Sequence, residues 1–381
     1  MANKGKAKKP ENLDESKLKL FTPIEIMKPV FWGKGSEEIC ERVIGEQNGS
    51  TYAEIKEDGF RLQLHKKGDR IEGFSSSLGG LDMRQFPEVK LGKLPDCILE
   101  CEITGDEPGV TGFEKVFSRG IKFGAVAKGL DEYLGSEKVV NNNIKLRVFD
   151  TLYWHDKFLV NRPLMERRTF TECINESGIE PSKLQIVNSS ADLWTLYNRV
   201  INNADEGLVC KDSSSIYIPG DRKEWVKVKR FETLDLAILG VFLKEGRIVE
   251  ILGGTFNNGR YETLAKVNAK TGGLYEIIEK KLKKNYVKNV PVNVIMNPKV
   301  SVGGHDWPTY FIKPKNTMVV QVGVMNFYYK KNCYSCGLKD GNAFSVRNPV
   351  LERVREDKKP EMATSTDKIR GFYFAERGLK G

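Results

Sequence analysis

Histidine is scarce. The chain of 381 residues has three, His65, His155 and His305, so a mechanism built on a histidine base has little footing. Long apolar runs are missing too, and no stretch approaches the roughly 20 residues that a membrane-spanning helix needs. The N-terminus, MANKGKAKKPENLDESK, lacks the apolar core of a secretory signal. An intracellular protein with no membrane partner is therefore expected. The seven cysteines are odd in number, and reduced thiols are the expectation in that setting. Cys333 and Cys336 form a lone CxxC, with His305 the nearest histidine. One such pair does not complete a tetrahedral zinc site, so it reads as a loop or strand-end pair. Neither an internal repeat nor an amphipathic heptad stands out, which points to a monomer.

Positive charge is present in excess. Lysine and arginine total 61 against 51 acidic residues, a net charge of +10. A basic balance favours a polyanionic partner such as nucleic acid. The length predicts two domains. Residues 1–20 read as a disordered basic leader carrying Lys4, Lys6, Lys8 and Lys9. From Tyr52, YAEIKEDGFRLQLHKKGDRIEGFSSS shows two alternating runs broken by KKGD, the pattern of a β-hairpin. CILECEIT, IKLRVFDTLYW, EGLVCKD and EWVKVKRF read as further strands. RPLMERRTFTECINES and SADLWTLYNRVINNAD read as helices.

The character changes after Arg230. LDLAILGVFL, RIVEILGGTF, VNVIMNP and TMVVQVGVMNFYY read as strands, with LYEIIEKKLKKN a helix among them. Five or so short strands with one helix suit an OB-fold barrel. The hinge between the two domains is placed near residues 229–233.

Chemistry enters at Lys56-Glu57-Asp58-Gly59-Phe60-Arg61. A lysine ends a strand, and an acid and a glycine follow. Glycine permits a tight turn and a close approach of phosphate to backbone. A lysine amine attacks only when neutral, and with a solution pKa near 10.4 only roughly 0.04% is neutral at pH 7. Nearby cations or burial are expected to lower that value. Alone, the string reads as a hairpin turn with solvated charges. Further charged groups recur on strands downstream: Glu100 and Glu102 alternate onto one face of LECEITG, Glu206 and Lys211 bracket EGLVCK, and Lys227 and Lys229 share a face of WVKVKR opposite Val226 and Val228. Together they supply a nucleophilic lysine, hard oxygen ligands for magnesium and cations for phosphates.

In this order the strings resemble the motif series of the covalent nucleotidyltransferases: ATP-dependent DNA ligases, RNA ligases and messenger-RNA capping enzymes. Lys56 to Arg61 resembles motif I, KxDGxR; LECEITG resembles motif III, VFDTLYW motif IIIa, EGLVCK motif IV and WVKVK motif V. SVRNPVLERVREDKKPEMAT resembles motif VI of the DNA ligases, with its R-x-D-K core at Arg355, Asp357 and Lys358. The resemblance runs from about Tyr52 to Thr366, and its long C-terminal match favours a minimal two-domain ATP-dependent DNA ligase over an RNA ligase or capping guanylyltransferase. A catalytically silent OB-fold nucleic-acid-binding protein need not retain Lys56, so the intact motif I argues against it.

The resemblance implies an α+β fold: an adenylation domain over residues 21–230, with antiparallel sheets flanked by helices, then an OB-fold barrel over 231–381 carrying motif VI and a C-terminal tail. It implies ATP and Mg2+ (or Mn2+) as cofactors and nicked duplex DNA as partner. Lys56 would attack the α-phosphate of ATP and hold AMP. Glu54 would receive the adenine amino group, and Phe149 would stack on the ring. Arg61 and Glu102 would contact ribose or a metal-bound water. Glu206 would help hold the metal, with Glu102 contributing and Asp58 in support. Lys227 and Lys229 would neutralise the α-phosphate, Lys211 would serve nucleotide binding, and Arg355 and Lys358 would orient the β- and γ-phosphates. The second domain is expected to swing about the hinge between adenylation and sealing.

Two departures stand out. FSSSLGGLDMRQFP places Ser76 and Ser77 where the family carries a Ser-Arg pair, with Arg84 the candidate substitute for an arginine that grips the 5′-phosphate strand. Glu100 stands where aspartate is commoner.

Overall fold

The alternating runs become strands. Phe60–Lys67 and Arg70–Ser75 form an antiparallel hairpin with Lys67 opposite Arg70. Gly68 in the turn has a φ of 54°, in the left-handed region that glycine enters freely. A computed structural model describes residues 12–105, 112–121, 130–140, 143–203, 205–269, 273–300 and 304–379. By its internal contacts the chain divides into two units, Met1–Lys229 and Arg230–Gly381.

Among the described residues the first unit holds two sheets. The smaller runs Met27–Lys34, Gly220–Lys229, Gly207–Lys211, Thr51–Ile55, Leu184–Val187. Its first pair is parallel and the rest antiparallel. Helices Glu37–Glu46 and Ser190–Asn202 cover one face. Each is started by a serine, Ser36 or Ser189, whose side chain accepts from a backbone N–H of the first turn. Val43, Leu193 and Val200 from the helices pack on Ala53, Leu208, Val226 and Val228 from the strands. The larger sheet has Arg70–Ser75, Phe60–Lys67, Cys97–Thr104 and Lys145–Trp154 at its centre, all antiparallel. Leu62, Leu64, Leu99, Cys101, Leu146 and Val148 form its buried face. A further core of Ile24, Met27, Ile98, Leu152, Leu164, Tyr217 and Trp225 draws on strands of both sheets.

The expected leader is corrected in part. Residues 1–11, including its four lysines, lie outside the described residues. From Leu13 the chain is packed: Leu13, Leu18 and Leu20 lie against the last-named core. Leu13 also exchanges two hydrogen bonds with the Asn161 side-chain amide, at 3.1 and 2.9 Å. Three leucines in a short polar stretch are apolar surface that folding removes from water, and the lysine-rich composition masked them.

In the second unit, Arg247–Asn257, Arg260–Ala269, Val350–Arg355, Val319–Val324 and Glu232–Lys244 pair in turn, and the last pairs back onto the first. Five strands thus close into an OB-type barrel. The barrel is filled by Leu234, Leu236, Ile251, Val267, Val320, Val322 and Leu351. Helix Gly273–Leu282 buries Ile278 and Leu282 against it. Two expected strands differ. VNVIMNP contributes only Val294–Ile295, outside the ring. TMVVQVGVMNFYY breaks into Val319–Val324 and Phe327–Lys331, and the second piece pairs with Asn342–Val346. Among the described residues no helix is long and apolar enough to cross a membrane.

Candidate active site

Sheet register assembles the first unit's site. Thr51–Ile55 lies antiparallel to Gly207–Lys211, with Glu54 opposite Val209. The ladder ends with Lys56 N–H donating to Gly207 O at 2.8 Å, which sets Lys56 beside Glu206. On the other side Gly207 faces Lys229 and Val209 faces Lys227. In the larger sheet Arg61 lies opposite Glu102 and Gln63 opposite Glu100. Pairing passes from Glu100–Asp150 to Cys101–Val148, so Phe149 is an extra, bulged residue of its strand. The two sheets enclose a cavity of about 200 Å3, lined by Glu54, Lys56, Arg61, Glu102, Phe149, Lys211 and Lys227 among others.

Lys56 Nζ donates to Glu206 Oε2 at 2.6 Å, and Glu206 Oε1 accepts from Lys229 Nζ at 3.4 Å. Two lysines thus share one carboxylate. Burial works against the charge on Lys56, yet Glu206, Glu102 and Asp58 together hold its pKa above the ordinary lysine value. This corrects the expectation of a lowered pKa, because the nearest charges are carboxylates. Burial, with Lys56 and Lys227 as further cations nearby, instead pulls Lys229 down to about 8 despite Glu206. Lys227 is lowered by burial and by Lys56. Glu102 is pushed up to about 8 by burial, with Glu206 and Asp58 adding to the rise and Lys56 and Arg61 opposing it.

Glu54 is buried. Its Oε2 accepts from Lys211 Nζ at 2.6 Å and its Oε1 from Arg168 Nη1 at 3.0 Å. Lys211 also donates to Phe149 O at 3.1 Å and lies 4.3 Å from the centre of the Trp225 ring. The Phe149 ring has Lys211 Nζ at 4.9 Å and Arg61 Cζ at 5.1 Å from its centroid. Arg61 is fixed by Glu100 Oε2 at 2.8 Å and Met27 O at 2.7 Å. Glu100, fully buried, also accepts from Tyr217 Oη at 2.6 Å and Gln63 Nε2 at 2.9 Å. Sequence reasoning missed Arg168, Ser182, Tyr217 and Trp225 around the site. Trp225 precedes the lysine-bearing stretch and could have been found by extending its alternation; the others lie on a helix and in loops without a pattern.

Gly59 is required for a different reason than expected. A Cβ there would lie 2.0 Å from Ile103 O, so the glycine admits the neighbouring strand, whatever it does for a phosphate. Arg84, the candidate for the missing arginine, sits in the one-turn helix Met83–Gln85, and its Nε and Nη2 donate to Asp82.

Arg355 and Lys358 belong to the second unit. Arg355 ends the barrel strand Val350–Arg355, and Lys358 follows in a turn whose N–H donates to Arg355 O at 3.2 Å. Of the residues singled out in sequence, the first unit brings Glu54, Lys56, Asp58, Arg61, Glu102, Phe149, Glu206, Lys211, Lys227 and Lys229 to one place.

A family model described as the ATP dependent DNA ligase domain matches residues 34–229. The chain belongs to the ATP-dependent DNA ligase family. The DNA ligase of Thermococcus fumicolans is 30% identical over 353 residues, which cover 88% of this chain and 57% of that protein. The DNA ligase of Thermococcus onnurineus (strain NA1) is 30% identical over 375 residues, covering 93% and 60%. The chain thus spans about three-fifths of the length of these ligases. A solved structure of a Lig E DNA ligase, from a study of DNA binding with a minimal scaffold, aligns over 87% of this chain and all of its own, with a TM-score of 0.51 and 15% identity. That likeness supports the ligase fold.

Among the described residues no group of three or more His, Cys, Asp or Glu side chains could hold a metal by itself. The donor set fits a smaller role. Glu102 and Glu206 both act on Lys56, and the charge of Glu206 adds to the raised pKa of Glu102. Magnesium is commonly bound by one or two carboxylates with substrate phosphates and water completing its shell.

Proposed function

We propose that this chain is an ATP-dependent DNA ligase that seals 5′-phosphate/3′-hydroxyl nicks in duplex DNA through AMP carried on Lys56. It acts as a monomer, inside the cell, on DNA. The observation that carries the reading is Lys56 lining one cavity with Phe149, Glu54 and Lys227, its ammonium sharing the Glu206 carboxylate with Lys229.

In this reading Phe149 stacks on adenine, and Glu54 accepts from the exocyclic amine. Both Glu54 oxygens already accept, from Lys211 and Arg168, and a side chain used as an acceptor favours an amino edge over a carbonyl edge. Lys56 Nζ attacks the α-phosphorus. An N–P bond forms, the bond to the bridging oxygen breaks, and pyrophosphate leaves. The proton that Lys56 must shed lies on its 2.6 Å hydrogen bond to Glu206. Lys227 and Lys229 neutralise charge on the α-phosphate, Arg61 contacts the ribose, and Arg355 and Lys358 orient the β- and γ-phosphates. Glu206 and Glu102, with Asp58 in support, would hold a divalent cation, which would supply positive charge to the phosphates. The AMP then passes to the 5′-phosphate at a nick, and the 3′-hydroxyl displaces it. Each transfer depends on in-line placement and charge neutralisation more than on a histidine base.

The test is incubation with α-labelled ATP and magnesium. Wild type takes up label and Lys56→Ala does not; a purified chain that never acquires nucleotide at Lys56 refutes the reading. GTP in place of ATP, and nicked RNA in place of nicked DNA, separate it from capping and RNA-joining enzymes.

A further inference from the structure

Asp235 lies near the start of the barrel strand Glu232–Lys244, in the unremarkable stretch ETLDLAIL. Its carboxylate is where the two motif VI cations meet. Oδ1 accepts from Arg355 Nη1 at 2.8 Å, and Oδ2 accepts from Lys358 Nζ at 2.7 Å. The residue is itself anchored. It pairs with Gln321 in the barrel, its N–H donates to Thr364 Oγ1 at 3.0 Å, and its C=O accepts from Thr364 N at 2.7 Å. Asp357 takes the other edge of the Arg355 guanidinium, at 2.9 and 2.7 Å. The two acids are not equivalent: the Asp235 side chain is 19% exposed and that of Asp357 is 64% exposed. One carboxylate is sheltered on a fixed strand, and the other is solvated.

We infer that Asp235 is a positioning residue for the triphosphate tail of ATP, holding Arg355 and Lys358 side by side before the nucleotide arrives. The inference rests on the assignment of those two cations to the β- and γ-phosphates made above. Arginine and lysine have long side chains with many rotamers, and ordering them on binding an anion is costly. An ordinary exposed ion pair changes that little. A single acceptor shared by two cations, with its backbone fixed at three points, keeps both side chains extended at one spacing. The opposite possibility is that Asp235 occupies the place of the phosphate and competes with it. The two ideas differ in sign: removing Asp235 weakens ATP use in the first and strengthens it in the second.

The experiment uses the full chain and separates two steps. The first is self-adenylation, read as the KM for ATP. The second is sealing of a nick whose 5′ end already carries AMP, which needs no ATP. Asp235→Ala is expected to raise the KM for ATP on the order of 10-fold, the effect of losing preorganisation of two side chains. Asp235→Asn should do so less, and Asp235→Glu should recover part of the loss because it keeps a carboxylate. Sealing of the pre-adenylated nick should stay within about 2-fold of wild type, which a general weakening of the barrel would not allow. An unchanged or lower KM in Asp235→Ala overturns the inference. So does a parallel loss in both steps. A wild type that takes no label overturns the ligase reading and this inference with it. A wild type that labels normally while Asp235→Ala matches it overturns the inference alone.

Discussion

Replacing Lys211 with methionine keeps its aliphatic length and removes its charge. Lys211 is 1% exposed, and its ammonium donates to Glu54 Oε2 at 2.6 Å and to Phe149 O at 3.1 Å. Burial holds its pKa below the ordinary lysine value even with Glu54 beside it, so the pair forms against a desolvation cost. After the substitution the Glu54 carboxylate stays buried with Arg168 as its cation. Removing one partner of a buried pair costs about 3–5 kcal/mol. Arg168 still covers part of the charge, so about 3 kcal/mol is expected, the lower end of that range. In a unit of roughly 200 residues each kcal/mol moves Tm by about 2–4 °C, which gives a fall of about 6–12 °C. The assay is urea and thermal unfolding of wild type, Lys211→Met, Glu54→Gln and the double variant. The double should lose at least about 1 kcal/mol less than the sum of the singles, because it leaves no buried carboxylate. A single variant within about 1 kcal/mol of wild type, or an additive cycle, refutes the idea that Lys211 compensates Glu54.

Three further outcomes follow from the structure. His65 is buried with Nδ1 accepting from Phe21 N–H at 2.9 Å and Nε2 2.8 Å from Gln63 Oε1, so the ring is neutral, and burial pushes its pKa down to about 4. A depressed histidine leaves stability whole above the unfolded value near 6.5 and removes it as pH falls toward 4, by up to about 3 kcal/mol; the pH dependence of urea unfolding should be flatter in His65→Gln, and equal slopes would count against this. Gly59→Ala puts a methyl 2.0 Å from Ile103 O. It should cost on the order of 2–3 kcal/mol and cut self-adenylation more than about 10-fold; a fully active, stable Gly59→Ala protein would show that the strands can part. Chelating divalent cations should abolish labelling of Lys56, with magnesium or manganese restoring it, and label persisting in chelator would remove the metal role from Glu206 and Glu102.

Elements with a clean period were legible. Cys97–Thr104 coincides with the expected CILECEIT, and SADLWTLYNRVIN makes the expected helix. Elements whose local chemistry argues against them were not. Met27–Lys34 carries Pro29 and Gly33, and it survives as an edge strand, where a missing N–H costs little. Val350–Arg355 is half charged, VLERVR, and its motif drew attention away from its place in the barrel. TMVVQVGVMNFYY looked like one strand because its apolar residues run on. Asn326 interrupts it, its carbonyl taking Arg347 N–H at 3.0 Å so that the chain turns into a new pairing.

The residue types of the site were legible, but the sign of the field around Lys56 was not, and the reason is geometric. A list of motifs counts two lysines in WVKVK and one glutamate in EGLVCK, which suggests a cationic setting. The ladders decide otherwise. Gly207 is paired to Lys229 on one side and hydrogen-bonded to Lys56 N on the other. Glu206 therefore falls between the two ammonium groups and binds Lys56 the more closely, 2.6 Å against 3.4 Å. Lys56 ends with a raised pKa and Lys229 with a lowered one. A slip of one residue of Gly220–Lys229 against Gly207–Lys211 would turn Val226 and Val228 toward the cavity and Lys227 and Lys229 into the helices' core. Which of the two amines the carboxylate binds directly, and which it touches only at longer range, is thus a property of strand register.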